Sequence, residues 1–74
     1  MIRIMRRDRD AKVIEVGTVD QVDGKIVFDL PQEWIDDLQE IRFRGQVYHP
    51  DSTGFMDILP LYLCGDRVWA TPNR

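Results

Sequence analysis

The sequence predicts a small α+β domain. An antiparallel sheet built on a central β-hairpin is packed by one amphipathic helix and a second short or kinked helix, in the order β-β-β-α-β-α-β. Three observations predict this fold class: Asp23-Gly24 separates two runs rich in β-branched residues, Pro31 follows the second run, and the residues after it carry apolar side chains at helical spacing. We expect a single domain over residues 1–74.

The first strand is predicted by alternation between Met1 and Arg6, with Ile2 and Ile4 on one face. The R-D-R-D-A segment that follows interleaves opposite charges and has little to bury. It therefore predicts a loop that leads into the central hairpin.

The register of the central hairpin has two solutions. A two-residue turn places Val19 opposite Phe28, and Ile14 and Val16 then fall on the wrong face unless Gly17 forms a bulge. A three-residue loop ending in a left-handed glycine needs no bulge at Gly17.

We prefer the three-residue loop, Val22 to Gly24, which pairs Thr18 with Phe28 and Val16 with Leu30. The buried face then holds Ile14, Val16, Ile26, Phe28 and Leu30. Val13, Val19 and Val27 are left on the other face, where they form a second apolar surface.

The first helix is predicted after Pro31, with Asp29 as N-cap and Gln32 three residues later as in a capping box. Its apolar stripe consists of Trp34, Ile35, Leu38 and Ile41, and Glu33, Asp36, Asp37 and Glu40 face away. The R-F-R-G-Q-V-Y segment after it alternates like an edge strand.

The C-terminal third contains apolar residues at helical spacing from Phe55 to Leu63, with Asp51 or Ser52 as cap and Gly65 as a left-handed stop. Pro60 interrupts this pattern, and Leu59, Leu61 and Leu63 also alternate like a strand. We predict a kinked or broken helix, followed by a last strand from Arg67 to Thr71.

Size and composition limit the chemistry of the chain. A domain of 74 residues has a small core, and its single cysteine, Cys64, cannot form an internal disulfide. One histidine, one cysteine and one serine leave little for catalysis or for a Cys/His metal site, so we expect no enzyme, cofactor or metal. Self-association as a homodimer is the expected supplement to the small core.

Charge is segregated along the chain, although the net charge is only -3. Residues 1–12 contain five basic and two acidic residues, whereas residues 13–40 contain eight acidic residues and Lys25 alone. The candidate binding surface consists of Arg3, Arg6, Arg7, Arg42 and Arg44, and the candidate acidic docking face consists of Glu33, Asp36, Asp37 and Glu40. Arginine is favoured for bidentate contacts to phosphate or carboxylate and at protein interfaces.

Two function classes follow from these surfaces. The first is a small non-enzymatic protein–protein interaction module, a regulatory or accessory protein that acts as a homodimer. The alternative is binding of nucleic-acid backbone through an arginine-rich strand face, against which the pI of about 4.9 argues. The chain has no stretch of about 18 uncharged apolar residues, and we expect a cytoplasmic protein without membrane contact.

Overall fold

The computed structural model describes residues 1–72, and residues 73 and 74 of the predicted domain lie outside the described residues. The elements in chain order are β1 (Ile2–Arg7), β2 (Val13–Val22), β3 (Lys25–Asp29), α1 (Gln32–Asp37), β4 (Ile41–Phe43), β5 (Gln46–Tyr48), α2 (Phe55–Tyr62) and β6 (Val68–Pro72). Four strands form an antiparallel sheet in the order β3-β2-β1-β6, and β4 and β5 form a separate two-stranded sheet. The predicted α+β class and order of elements are confirmed.

Strand β1 is an interior strand of the larger sheet, and the predicted burial of Ile2 and Ile4 on one face is observed. The strand pairs with β2 on one side and with β6 on the other. The loop after β1 is closed by Asp8, whose Oδ1 accepts hydrogen bonds from the backbone N–H groups of Asp10 and Lys12 at 2.8 and 2.9 Å.

The central hairpin has a two-residue turn, so the preferred three-residue loop was wrong. Asp23 and Gly24 both have positive φ, 52° and 77°, as a type I′ turn requires, and Val22 pairs with Lys25. Val19 therefore lies opposite Phe28. Val19 is fully buried rather than part of a second apolar face.

A β-bulge makes this register compatible with a buried face. Ile4 pairs with Gly17 and Met5 pairs with Glu15, so Val16 is an extra residue in β2. Ile14 and Val19 are five positions apart and would face opposite sides of a regular strand. The extra residue brings both to the side that faces the core.

Gly17 is required at this bulge for steric reasons. A Cβ atom at this position would lie 1.9 Å from the backbone oxygen of Asp29 and 2.8 Å from Leu30 Cδ2. The chain leaving β3 thus crosses directly over β2 at the one residue without a side chain. This crossing carries the chain from the sheet edge onto the face where the helices lie.

Helix α1 is shorter than predicted and lacks the predicted cap. It ends at Asp37, its N-cap residue is Pro31, and no side chain makes a cap hydrogen bond, so Asp29 does not cap it. Leu38 and Ile41 are nevertheless buried. Leu38 lies in the turn after the helix, and Ile41 is the first residue of β4. The apolar spacing identified Leu38 and Ile41 as core residues, but Trp34 and Ile35 are only partly buried, and the helix is shorter than the spacing predicts.

The predicted edge strand after α1 is split into the hairpin β4–β5. Arg44 and Gly45, with φ of 52° and 80°, form its two-residue turn, and Ile41 pairs with Tyr48. This small hairpin packs against α2 through the buried Ile41.

Helix α2 runs from Phe55 to Tyr62 and contains Pro60. Its N-cap is Gly54 in the left-handed conformation, so neither Asp51 nor Ser52 makes a side-chain cap. Gly65 is not a left-handed stop, because its φ is not positive, and its N–H donates to the carbonyl oxygen of Val68 at 2.9 Å in a turn towards β6. The predicted last strand is confirmed as β6.

The core lies between one face of the larger sheet and the helices. Its buried members are Ile2, Ile4, Val19, Leu38, Ile41, Phe55, Leu59 and Ala70. The ring of Phe55 meets that of Phe28 edge to face, with centroids 6.4 Å apart. Trp34 is half-buried at the border of this cluster.

Candidate interaction surfaces

The four-stranded sheet has one covered and one open face. All its buried side chains, such as Ile4 and Val19, face the helices. Strand alternation and the pairing register place a second set of side chains on the opposite side. This open face consists of Arg3, Met5, Arg7, Val13, Glu15, Thr18, Asp20, Val22, Lys25, Val27, Asp29, Trp69 and Thr71.

Four charged side chains of the open face, those of Arg3, Arg7, Glu15 and Asp20, contact neighbouring groups. The Nε of Arg3 donates to Glu15 Oε1 at 2.5 Å, and both side chains are more than two-fifths exposed. The N-terminal ammonium group lies 3.5 Å from Asp20 Oδ1. The guanidinium of Arg7 lies 5.2 Å from the ring centroid of Trp69, a cation–π distance, and its Nε also donates to the backbone oxygen of Asp66.

The five arginines of the candidate binding surface occupy three places. Arg3 and Arg7 lie on the open face of β1, whereas strand alternation directs Arg6 to the opposite side. Arg42 and Arg44 belong to the hairpin β4–β5, where the Arg44 guanidinium lies 5.1 Å from the ring centroid of Phe43. The sheet therefore does not bring all five onto one strand face.

The four residues of the candidate acidic docking face are all exposed. Glu33, Asp36 and Asp37 lie on α1, and Glu40 lies in the segment between α1 and β4. Asp36 Oδ1 accepts a hydrogen bond from Gln32 Nε2 at 2.9 Å. The other three carboxylates make no side-chain hydrogen bond or ion pair to any residue in the range 1–72.

One edge of the larger sheet, β6, is covered by the chain itself. Leu63 accepts a hydrogen bond from the Ala70 N–H at 2.9 Å, and Val68 accepts one from the Gly65 N–H at 2.9 Å. The strand ends at Pro72, which has no N–H to offer. These features block further strand pairing at this edge.

Within residues 1–72, the other edge, β3, has no strand partner beyond β2, and Pro50 and Asp51 lie beside its first two residues, Lys25 and Ile26. No strand of the described chain pairs with it besides β2, and no backbone group outside that ladder bonds to Ile26 or Phe28. Val27 is 49% exposed on the open face, and Lys25 and Asp29 are exposed at the two ends of the strand.

The two side chains with potential reactivity, Cys64 and His49, are both exposed. His49 Nδ1 lies 3.0 Å from the backbone oxygen of Gln39. Over residues 1–72, no three His, Cys, Asp or Glu side chains are grouped as metal ligands would be. No described helix has the length and apolar character needed to cross a membrane.

The sequence interpretation missed two features of these surfaces. Trp69 and Met5 are direct neighbours on the open face, which only the pairing of β1 with β6 reveals. The free edge of β3 was also missed, because strand order decides which strands are edges and no local pattern encodes it. Lys25 at the start of the strand was an available signal, since lysine is common on edge strands.

Comparison of the chain with protein-family models, with curated proteins and with solved structures finds no match.

Proposed function

We propose that this protein is a small non-enzymatic protein–protein interaction module, a regulatory or accessory protein that acts as a homodimer in the cytoplasm. The observation that carries the proposal is the open face of the four-stranded sheet. One-sided antiparallel sheets commonly leave a polar face to solvent, but this face has Met5 and Trp69 at its centre.

The composition of the open face is that of a protein interface. Interfaces are enriched in aromatic residues, methionine and arginine, and Trp69, Met5, Arg3 and Arg7 lie together across β1 and β6. Val13 and Val27, both about half exposed, extend the apolar area towards the other strands. Such a mixed surface favours a protein partner over a small ligand, because it is broad and has no enclosing walls.

The small core supports self-association. Eight of residues 1–72 make up the buried cluster, and a domain of this length buries only about 60% of the surface its unfolded chain exposes. A second copy that covers apolar surface would add to this limited stability. A partner that binds only the folded state shifts the folding equilibrium towards that state.

Sedimentation velocity of the full chain tests the homodimer. We expect the weight-average mass to rise from 8.7 kDa towards twice that value as the protein concentration increases through the micromolar range. A mass of 8.7 kDa at every concentration up to about 500 μM would contradict the dimer, because it would correspond to an association free energy weaker than about 4 kcal/mol.

The alternative, binding of nucleic-acid backbone, has less support. It requires a cluster of free cations, but Arg3 is paired with Glu15 and Arg7 is stacked on Trp69. Arg6 lies on the other side of the same strand. The net charge of -3 also repels a polyanion.

A further inference from the structure

We propose that two copies of this protein associate edge to edge by antiparallel pairing of their β3 strands. Val27 of each copy lies at the two-fold axis, and Lys25 lies opposite Asp29 of the second copy. This inference rests on the proposed homodimer and deepens it by assigning its surface and register. The result is a continuous eight-stranded sheet with β6 strands at both ends.

The choice of edge follows from the difference between β3 and β6. The β6 edge is occupied by two backbone hydrogen bonds, in which Ala70 donates to Leu63 and Val68 accepts from Gly65, and it ends in Pro72. The β3 edge has no such cover among the described residues. A five-residue edge without such hydrogen bonds is a template for another strand, so a second copy is directed to β3.

The hairpin turn determines which backbone groups point away from the sheet. Val22 and Lys25 close the two-residue turn and form a hydrogen-bonded pair. Because hydrogen-bonded and non-bonded pairs alternate in an antiparallel ladder, Val27 and Asp29 are also bonded to β2. The N–H and C=O groups of Ile26 and Phe28 therefore point to the free edge.

The outward N–H and C=O groups of Ile26 and Phe28 form hydrogen bonds between the copies only in certain registers. In those registers, Ile26 or Phe28 of one copy lies opposite Ile26 or Phe28 of the second copy. Ile26 opposite Phe28 of the second copy satisfies both residues in both copies and pairs all five residues of each strand. Placing Ile26 opposite Ile26, or Phe28 opposite Phe28, shifts the strands by two residues and leaves two residues of each β3 without a strand partner. Full pairing thus selects the register with Val27 at the axis.

The side chains of the strand are complementary in this register. In the sequence K-I-V-F-D, it sets Lys25 against Asp29 at both ends of the pairing, so two opposite-charge pairs form. Val27 meets its copy on the open face as a non-bonded pair, in which side chains approach closely. A side chain that is 49% exposed in one copy is thereby covered, and the open faces of the two copies become one surface.

Charge reversal tests the register directly. In Lys25→Glu, two acidic pairs replace the two salt bridges, and in Asp29→Lys two basic pairs replace them. Each single variant is expected to weaken dimerisation about tenfold at about 50 mM salt, since cross-strand pairs of like charge are destabilising and act twice in the dimer. The double variant Lys25→Glu/Asp29→Lys restores opposite charges and is expected to dimerise about as well as the parent.

Control variants separate pairing from a general effect of charge. Arg9→Glu and Asp10→Lys change the net charge by the same amounts in an exposed loop beyond the opposite end of the hairpin. Both are expected to dimerise like the parent, with circular dichroism showing that all variants are folded. Sedimentation velocity of the parent, the three β3 variants and the two controls gives the dissociation constants.

The outcomes distinguish this inference from the proposed function. A parent that dimerises while single reversals have no effect, or while the double variant stays weak, overturns the β3 register and leaves the homodimer intact. A parent that remains monomeric overturns the homodimer itself. In that case Lys25 and Asp29 would act only as charged residues that keep the edge from pairing.

Discussion

The substitution Gly17→Ala is expected to destabilise the protein strongly, although it adds only one methyl group. The added Cβ would lie 1.9 Å from the backbone oxygen of Asp29 and 3.0 Å from its carbonyl carbon. Because the obstacle is backbone, no side-chain rotation can relieve it. The chain leaving β3 would have to move by about 1 Å or more, away from the bulge where it crosses β2.

This backbone contact sets the expected loss of unfolding free energy in Gly17→Ala. Overpacking costs typically about 1 to 3 kcal/mol, and a backbone obstacle favours the upper end. A domain of this length has a stability of roughly 4 to 11 kcal/mol in total. A loss of about 3 kcal/mol would lower Tm by roughly 10 to 25 °C, which thermal unfolding followed by circular dichroism measures directly.

Gly65→Ala is a matched control for this prediction. Gly65 has ordinary φ, and a Cβ there would lie 3.3 Å from the oxygen of Val68, so a small adjustment accommodates it. Its Tm should stay within about 5 °C of the parent, because lost freedom of the unfolded chain offsets the tight contact. If Gly17→Ala melted as close to the parent as this control, the crossing of β2 by the chain after Asp29 would be refuted.

Two further predictions concern the core and the arginines. Phe55→Ala should lower the free energy of unfolding in urea by about 3 to 5 kcal/mol, because Phe55 is fully buried. Trp34→Ala should lower it by about 2 to 3 kcal/mol, because the indole is half-buried. Equal losses would contradict the difference in burial. Fluorescence-anisotropy titration with single- and double-stranded oligonucleotides at about 50 and 200 mM salt should give no binding. Submicromolar binding that falls at the higher salt, and that is lost in a folded variant with Arg6, Arg7, Arg42 and Arg44 changed to alanine, would make nucleic-acid binding the leading function.

The sequence predicted the kinds of element well because each has a local signal. Asp23-Gly24 forms the hairpin turn, Pro31 precedes α1, and Ile2 and Ile4 alternate into the core. Burial was also predicted where helical spacing marked it, as at Leu38, although the helix itself ends one residue earlier.

The register was predicted wrongly, because a regular alternation in both strands favours the three-residue loop, whereas the two-residue turn needs a bulge. The two-residue turn needs one extra residue in β2, and that residue is Val16. The bulge lets both Ile14 and Val19 face the core, a gain that the alternation of a regular strand cannot give. Gly17 was a visible signal, since a glycine inside a strand often marks a bulge or a close backbone approach.

The candidate surfaces were predicted only as sets of charges. Summing arginines along the chain cannot tell that Arg6 faces away from Arg3, or that Arg7 lies over Trp69, because these relations depend on strand pairing. The free edge of β3 depends on strand order in the same way. The opposite charges at its two ends, Lys25 and Asp29, predict a pairing register only once the strand is known to be an edge.

Amide hydrogen exchange of single residues, followed by NMR, tests the β3 pairing most directly. In one copy the N–H groups of Ile26 and Phe28 point to solvent, whereas that of Val27 is bonded to β2. At about 500 μM, where the dimer is populated, all three amides should be protected. In the Lys25→Glu variant at the same concentration, protection of Ile26 and Phe28 should fall about threefold while Val27 changes little, because the monomer fraction of a dimer scales with the square root of the dissociation constant. Fast exchange of Ile26 and Phe28 in a parent protein that sediments as a dimer would contradict the account.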